Sequence, residues 1–422
     1  MNRTYSLMFM FVVGITILLT GCTIDEPPEV WNPSAPTSPD PVITSVSPVS
    51  GGFAEVTEIH ITGKNFSDTD SLNVVYFDNV KATLISATTT ELIVKAPKLI
   101  GNNVTIKVAV AGSILLAKYG PYKLSSLTVE YGGILNVDEV YSFAIDGSEN
   151  LYAQFKESGT SVKIFKIDTN GTKTEYASAG VAKFSDIKMG PGGYLYCQRT
   201  SNVELYRIPP GGGSISVFHT LANGFRGRFF DFDSAGNMYF GGGTQAGMAV
   251  YSPSSSSSRV LVPSLSAFEI RSVRVFNGFV YFLGYRSTLK RSGIYRLPIT
   301  SATGDLGTLD TVFTISAATV PGWIDTTSQP NQALAIAIAE DGDIYLGSDN
   351  KNPIHIIRQG SATALYPGVL EAPAGQIMWG NGEFLYINRY ATNSTSPTVI
   401  PEKRRIIKMF AGKKGAPEYG RK

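Results

Sequence analysis

The feature that most constrains this chain is a repeat. A tyrosine in an apolar segment returns after a turn at Tyr152, Tyr196, Tyr239, Tyr281, Tyr345 and Tyr386, with spacings of 44, 43, 42, 64 and 41 residues. The turns ahead of these tyrosines hold Asp146-Gly147, Gly192-Gly193, Asp233 with Gly236, Asn277-Gly278, Asp341-Gly342 and Asn381-Gly382. Those residue types reverse a chain between two strands. One apolar segment precedes each turn, and a further one follows each tyrosine, as at 164–167, 205–208 and 294–297. A unit of this length with four strands cannot bury its apolar faces alone, whereas units stacked around an axis can. Six units predict an all-β, six-bladed β-propeller over residues 125–422. The last unit lacks a fourth strand, because Gly412, Gly415 and Pro417 interrupt it. The unassigned segment 127–131 is predicted to supply that strand, close the ring and leave no free sheet edge.

With its degenerate motifs, the repeat resembles NHL-type and related six-bladed propellers. Ahead of it, residues 42–124 hold short, β-branched segments at 42–46, 58–63, 73–77, 82–85, 91–97 and 104–110, bounded by Gly, Asn, Asp or Pro. That pattern predicts a small β-sandwich. Ile43 through Pro48 to Gly51-Gly52, Ile61 through Gly63 to Asn65-Phe66, Val75 to Phe77, and Val94 to Pro97 follow one another in an order that resembles the IPT/TIG immunoglobulin-like domain. Phe66 and Phe77 are expected between the sheets, and the turn at Gly63–Asn65 is expected to need a positive φ. In extracellular bacterial proteins the resemblance implies a spacer or accessory binding module, and it transfers no binding residues.

The N-terminus reads as targeting sequence. Arg3 precedes an apolar run over residues 7–19, which ends at Leu19, Thr20, Gly21 and Cys22. The run is shorter than the ~20 residues of a membrane span. Its end resembles the lipobox of bacterial lipoproteins, which implies a leader at 1–21 and lipidation of Cys22. Two or three acyl chains anchor durably, at about 0.8 kcal/mol per buried CH₂. Thr23, rather than Asp, follows the cysteine. Asp25 and Glu26 resemble the surface-export signal of glycan-foraging Gram-negative bacteria, so an outer-membrane location facing the exterior is expected. Residues 22–41 carry Pro27, Pro28, Pro33, Pro36, Pro39 and Pro41 and read as an extended tether that also holds Trp31.

Cys22 and Cys197 are the only cysteines, so lipidation leaves no partner for an internal disulfide, and Cys197 reads as a small buried hydrophobe. Net charge of +2 gives no case for nucleic acid. His60, His219 and His355 fall in unrelated strands. There is no Gly-x-Ser-x-Gly elbow and no His-Glu-x-x-His. Asp231 to Asn237 looks faintly like a calcium loop without its closing glutamate, and reads better as a hairpin turn. No catalytic residue, metal site or cofactor is predicted.

On a propeller, the loops between second and third strands share a face with the blade-to-blade connections. That face is expected to collect Lys156, Arg199, Arg226, Arg228, Tyr285, Arg286, Trp323, Asp325, Asp349, Asn350, Arg389 and Tyr390. The long fourth interval places an insertion between Leu297 and Gln332, and such insertions are more often functional than short ones. Within it, Trp323 is either an exposed platform for the C–H face of a sugar, beside Asp325, or a plug that holds the loop down. The arginines either recognise carboxylate or sulfate or form a solvated rim. Trp379 reads as core or channel lining.

The expected function is that of a non-catalytic surface binding protein for polysaccharide or oligosaccharide, with outer-membrane uptake proteins as candidate partners. It resembles in plan the surface glycan-binding lipoproteins of polysaccharide-utilisation systems. A second reading is a channel-metal hydrolase or polysaccharide lyase, drawing on Asp146, Asp186, Asp231 and Glu340. A third is a protein-interaction scaffold.

Overall fold

A computed structural model describes residues 37–421 except 136–137, 157–161, 179, 181, 200–201, 243–246, 262–264, 266, 326–330 and 390–404. Cys22, Trp31 and Tyr390 lie outside the described residues. The chain divides into two compact units between Ser125 and Ser126.

The first unit is a two-sheet sandwich. One sheet aligns Val42–Ser47, Glu58–Lys64, Glu91–Lys95 and Thr83–Ala87; the other aligns Gly52–Phe53, Ala117–Ser125, Gly101–Val110, Asn73–Phe77 and Val80–Lys81. Burial alternates along Glu58–Lys64, so Ile59 and Ile61 face the core with Phe66, Phe77, Leu92, Val94, Ile106 and Val108. The expected positive φ falls on Asn65, at 62°. Gly63 serves close approach instead: a Cβ there would sit 2.0 Å from the Val42 carbonyl oxygen. The end of the tether is already part of this unit, since Ser38 N–H donates to Gly112 O at 2.8 Å. The strand Ala117–Ser125 was hidden in sequence by Gly120-Pro121 at its centre.

The second unit is a ring of six four-stranded antiparallel sheets. Their innermost strands are Glu139–Ile145, Phe184–Met189, Gly227–Phe232, Phe268–Phe276, Ala333–Ile338 and Gln376–Trp379, and they define blades one to six. Thr128–Tyr131 is the outermost strand of blade six, pairing antiparallel with Ile406–Phe410. The ring is therefore closed by the segment that precedes its first blade. Tyr152, Tyr196, Tyr239, Tyr345 and Tyr386 are buried between blades. Local chemistry explains the repeat. The Asp233 carboxylate accepts from Ala235 N–H, Asn237 N–H, Asn237 Nδ2 and Tyr239 Oη, all within 3.0 Å. Asp146 does the same for Ser148, Asn150 and Tyr152. Each aspartate is thus spent on its hairpin turn, which is what the Asp231–Asn237 stretch turns out to be.

The last residues cross the ends of the inner strands. Ala416 N–H donates to Ile338 O at 2.9 Å, Glu340 N–H to Lys414 O at 3.0 Å, and Arg421 Nη1 to Trp379 O at 2.6 Å. Gly415 lies flat against the buried Trp379, where a Cβ would meet the indole at 2.2 Å. In the sequence this segment shows only as an interruption of the last unit.

The long fourth interval splits in two. Residues 299–306 fold back as a small hairpin onto blade three, where Arg259 Nη2 donates to Asp305 Oδ1 and Asn237 Nδ2 donates to Ala302 O. The rest carries Trp323 into the core between blades four and five.

Candidate functional site

Five of the six inner strands carry a register shift near their first residues: between Val140 and Ser142, Phe184 and Asp186, Gly227 and Phe229, Ile270 and Ser272, and Ala333 and Ala335. A β-bulge leaves one residue unpaired and re-aims its side chain. The residues skipped are Tyr141, Ser185, Arg228, Arg271 and Leu334. All five line a single cavity of about 240 Å³ at the mouth of the channel, joined by Lys183, Glu269, Gln332, Gln376 and Asn388. The bulges thus turn a ring of strands into a lined binding surface.

The rim is cationic. Arg228 Nη1 lies 3.1 Å from Glu269 Oε1, and Arg271 Nη2 lies 3.2 Å from Glu269 Oε2. Arg271 also covers the Tyr285 ring at 4.5 Å and donates to Ala333 O at 3.3 Å. Lys183 Nζ sits 4.3 Å from the centroid of Tyr141.

The floor is built from buried charges. Asp186, Lys188, Asp231 and Arg274 all lie below a tenth exposed. Each aspartate bridges to the next blade: Asp186 Oδ2 accepts from Phe230 N–H at 3.1 Å, and Asp231 Oδ2 accepts from Val275 N–H at 2.8 Å. Gln376 does likewise with Phe143 N–H and O, both at 3.1 Å. Inner strands of neighbouring blades share no sheet, so these side chains satisfy backbone groups that would otherwise be orphaned. Arg274 Nη2 donates to Glu418 Oε1 at 2.9 Å, which brings the C-terminal segment beneath the cavity. Burial pushes the Asp186 carboxyl up to about 6, against the pull of Lys188. Glu418 is held down at about 2, because Arg274, Arg421 and Lys188 outweigh its burial. Among the described residues, no group of three His, Cys, Asp or Glu side chains could hold a metal ion.

The residues expected to bind ligand are distributed unevenly. Arg228 is in the mouth. Tyr285, Trp323 and Asp325 line a second, smaller hollow of about 100 Å³, together with Arg271 and Gln332. Trp323 is not an exposed platform: it is 7% exposed and packs with Leu283, Ile315, Val320 and Ala333, as a plug. Asp325 caps its own loop, accepting from Ala317 N–H at 2.6 Å. Arg389 is buried and donates to Glu371 Oε2 and Ala372 O, holding the connection into blade six. Arg286 stacks over Phe268 at 4.4 Å. Arg199 stands beside Glu204 and Tyr206, and Arg226 is exposed; neither lines the mouth. Of the acids considered for a channel site, Asp186 and Asp231 reach the floor, Asp146 is used by its turn, and Glu340 is exposed beside the C-terminal segment. Sequence reading missed Tyr141, Lys183, Glu269 and Arg271.

Fold and site together define an all-β chain in which an immunoglobulin-like sandwich precedes a six-bladed propeller with a charge-filled floor and a cationic mouth. Residues 41–129 match the family model of the IPT/TIG domain. No curated protein matches the sequence. Among solved structures, an auxiliary nutrient binding protein from Bacteroides thetaiotaomicron is similar at 15% identity and a TM-score of 0.52, over 90% of this chain and 98% of the other. One of the same description from Bacteroides ovatus is similar at 14% identity and a TM-score of 0.50, over 89% and 99%. A luciferin-regenerating enzyme covers 70% of this chain and 99% of its own, at 12% identity and a TM-score of 0.50. These likenesses are of fold.

Proposed function

We propose that this protein is a surface lipoprotein, anchored through Cys22 to the outer membrane, that binds polysaccharide or oligosaccharide at the propeller mouth without cleaving it. The observation that carries the reading is the set of bulges that bring Tyr141, Ser185, Arg228, Arg271 and Leu334 to one cavity. Its volume of about 240 Å³ is slightly below the usual range of small-molecule pockets, roughly 300–1,000 Å³. It suits one sugar unit, with the rest of a chain lying over the rim. An aromatic ring, amides and guanidinium groups are the partners that sugar rings and hydroxyls need. Two nutrient binding proteins share the overall fold, which is compatible with this role.

The binding reading is favoured over hydrolysis by how the acids are used. Glycosidic cleavage by a carboxylate pair needs one acid free to give a proton and another free to attack or activate water. Asp186 and Asp231 are bonded to backbone N–H groups of the next blade, and Glu269 lies between two arginines.

The test is affinity electrophoresis of the chain from Thr23 to Lys422 through neutral and acidic polysaccharides, with product analysis on the same samples. Retardation without new reducing ends or unsaturated products is the expected result. Cleavage products would replace binding by catalysis, and no retardation in any gel would remove the glycan reading.

A further inference from the structure

We propose that the propeller mouth selects glycans bearing an acidic group, carboxylate or sulfate, and that Glu269 competes with this group for Arg228 and Arg271. The proposal deepens the glycan-binding reading and rests on it.

Two neighbouring bulges, on blades three and four, deliver Arg228 and Arg271 side by side. Glu269 takes one N–H from each, at 3.1 and 3.2 Å. A guanidinium has five donors in a planar fork, so both retain capacity for a second acid group. Arg228 Nε is buried without a hydrogen-bond partner. Arg271 is fixed in place by the Tyr285 ring below it and by Ala333 O beside it. Lys183 adds a third cation on the same cavity wall as Tyr141. Among the described residues lining the rim, three cations thus face the Glu269 carboxylate, while Glu139, behind Tyr141, accepts from its Oη.

Beneath it the charges offset one another. Lys188, Arg274 and Arg421 face Asp186, Asp231 and Glu418, so the floor offers no net positive charge. An anion is attracted at the rim and not at the floor, which fixes the height at which an acidic substituent sits. Planar, bidentate recognition is what carboxylate and sulfate offer and what a hydroxyl does not.

The chain from Thr23 to Lys422 is to be run by affinity electrophoresis through polygalacturonate, alginate and dextran sulfate, each beside an uncharged counterpart: the two methyl esters and dextran. At least one acidic polymer is expected to bind tenfold or more tightly than its uncharged form. Arg271→Gln is expected to lower that affinity about tenfold. Glu269→Gln is expected to raise it severalfold, a gain that misfolding cannot mimic. Glu340→Gln changes net charge equally on a residue away from the mouth, and is expected to leave affinity unchanged. Equal binding of charged and uncharged polymers, an unchanged or weakened Glu269→Gln, or an equal gain in Glu340→Gln overturns the proposal and leaves glycan binding standing. Binding to none of the polymers overturns both.

Discussion

Arg274, on the inner strand of blade four, donates from Nη2 to Glu418 Oε1 at 2.9 Å, with both side chains below a tenth exposed. The end of the chain is thus tied by charge to the centre of the propeller. Removing one partner of a buried pair leaves the other charged and unsatisfied, at a cost of about 3–5 kcal/mol. Glu418→Gln is expected to lower unfolding stability by that order, measured by urea denaturation. Asp231, 3.7 Å from Arg274 Nε, holds the loss toward the lower end.

The same floor makes stability depend on pH in two opposed ways. The folded Glu418 carboxyl is depressed to about 2, so its contribution is present above the unfolded value near 4.3 and is lost as pH falls toward 2. The folded Asp186 carboxyl is raised to about 6, so its contribution is full below about 3.9 and is lost as pH rises through 6. Thermal melts of wild type and Asp186→Asn across pH 4–7 should show wild type gaining on the variant as pH falls from about 6 to about 4. A constant difference would contradict the buried placement of Asp186.

Trp323 holds its loop in the core rather than presenting a sugar platform. Trp323→Ala should cost about 3–5 kcal/mol of stability, the usual range for a buried aromatic truncated to alanine. Where the variant remains folded, polysaccharide affinity should change less than threefold. A larger loss in a folded variant would return Trp323 to the ligand.

Blade closure predicts a further effect. Glu149, in the turn of blade one, accepts from Asn381 N–H and Tyr386 Oη of blade six and lies 3.3 Å from Lys408 Nζ. Glu149→Ala should destabilise by about 1–3 kcal/mol, the cost of leaving the buried Tyr386 hydroxyl without its acceptor. Hydrogen exchange should rise first along Ile406–Phe410 and Thr128–Tyr131.

The architecture was legible because its signals are local. Asp146 and Asp233 organise their own turns, and the tyrosine two residues beyond the turn's asparagine completes the set, so the repeat is visible without any knowledge of pairing. Segment 127–131 could be assigned to blade six by noticing which unit lacked a strand. The mouth was not legible in the same way, because a bulge is a property of register between two strands. It does leave one trace. Glu269 and Arg271 are two apart, as residues on one strand face should be, while Arg274 is three beyond Arg271. A charged set that breaks parity inside an apolar inner strand is what a bulge produces, and it could have pointed to Arg271. Trp323 shows the converse difficulty: an aromatic between Pro321-Gly322 and Asp325 has the composition of a binding loop, and only packing distinguishes a plug from a platform.

The central claim is that glycan binds in the mouth, and the most direct test is to fill the mouth without altering its charge. Leu334 is a half-buried bulge residue on the cavity wall, and Leu334→Trp adds bulk there. Affinity electrophoresis of this variant beside wild type, with product analysis, should show retardation of wild type without cleavage and loss of most retardation in the variant. Equal retardation of both would place the ligand elsewhere on the protein, and cleavage by wild type would contradict a binding role.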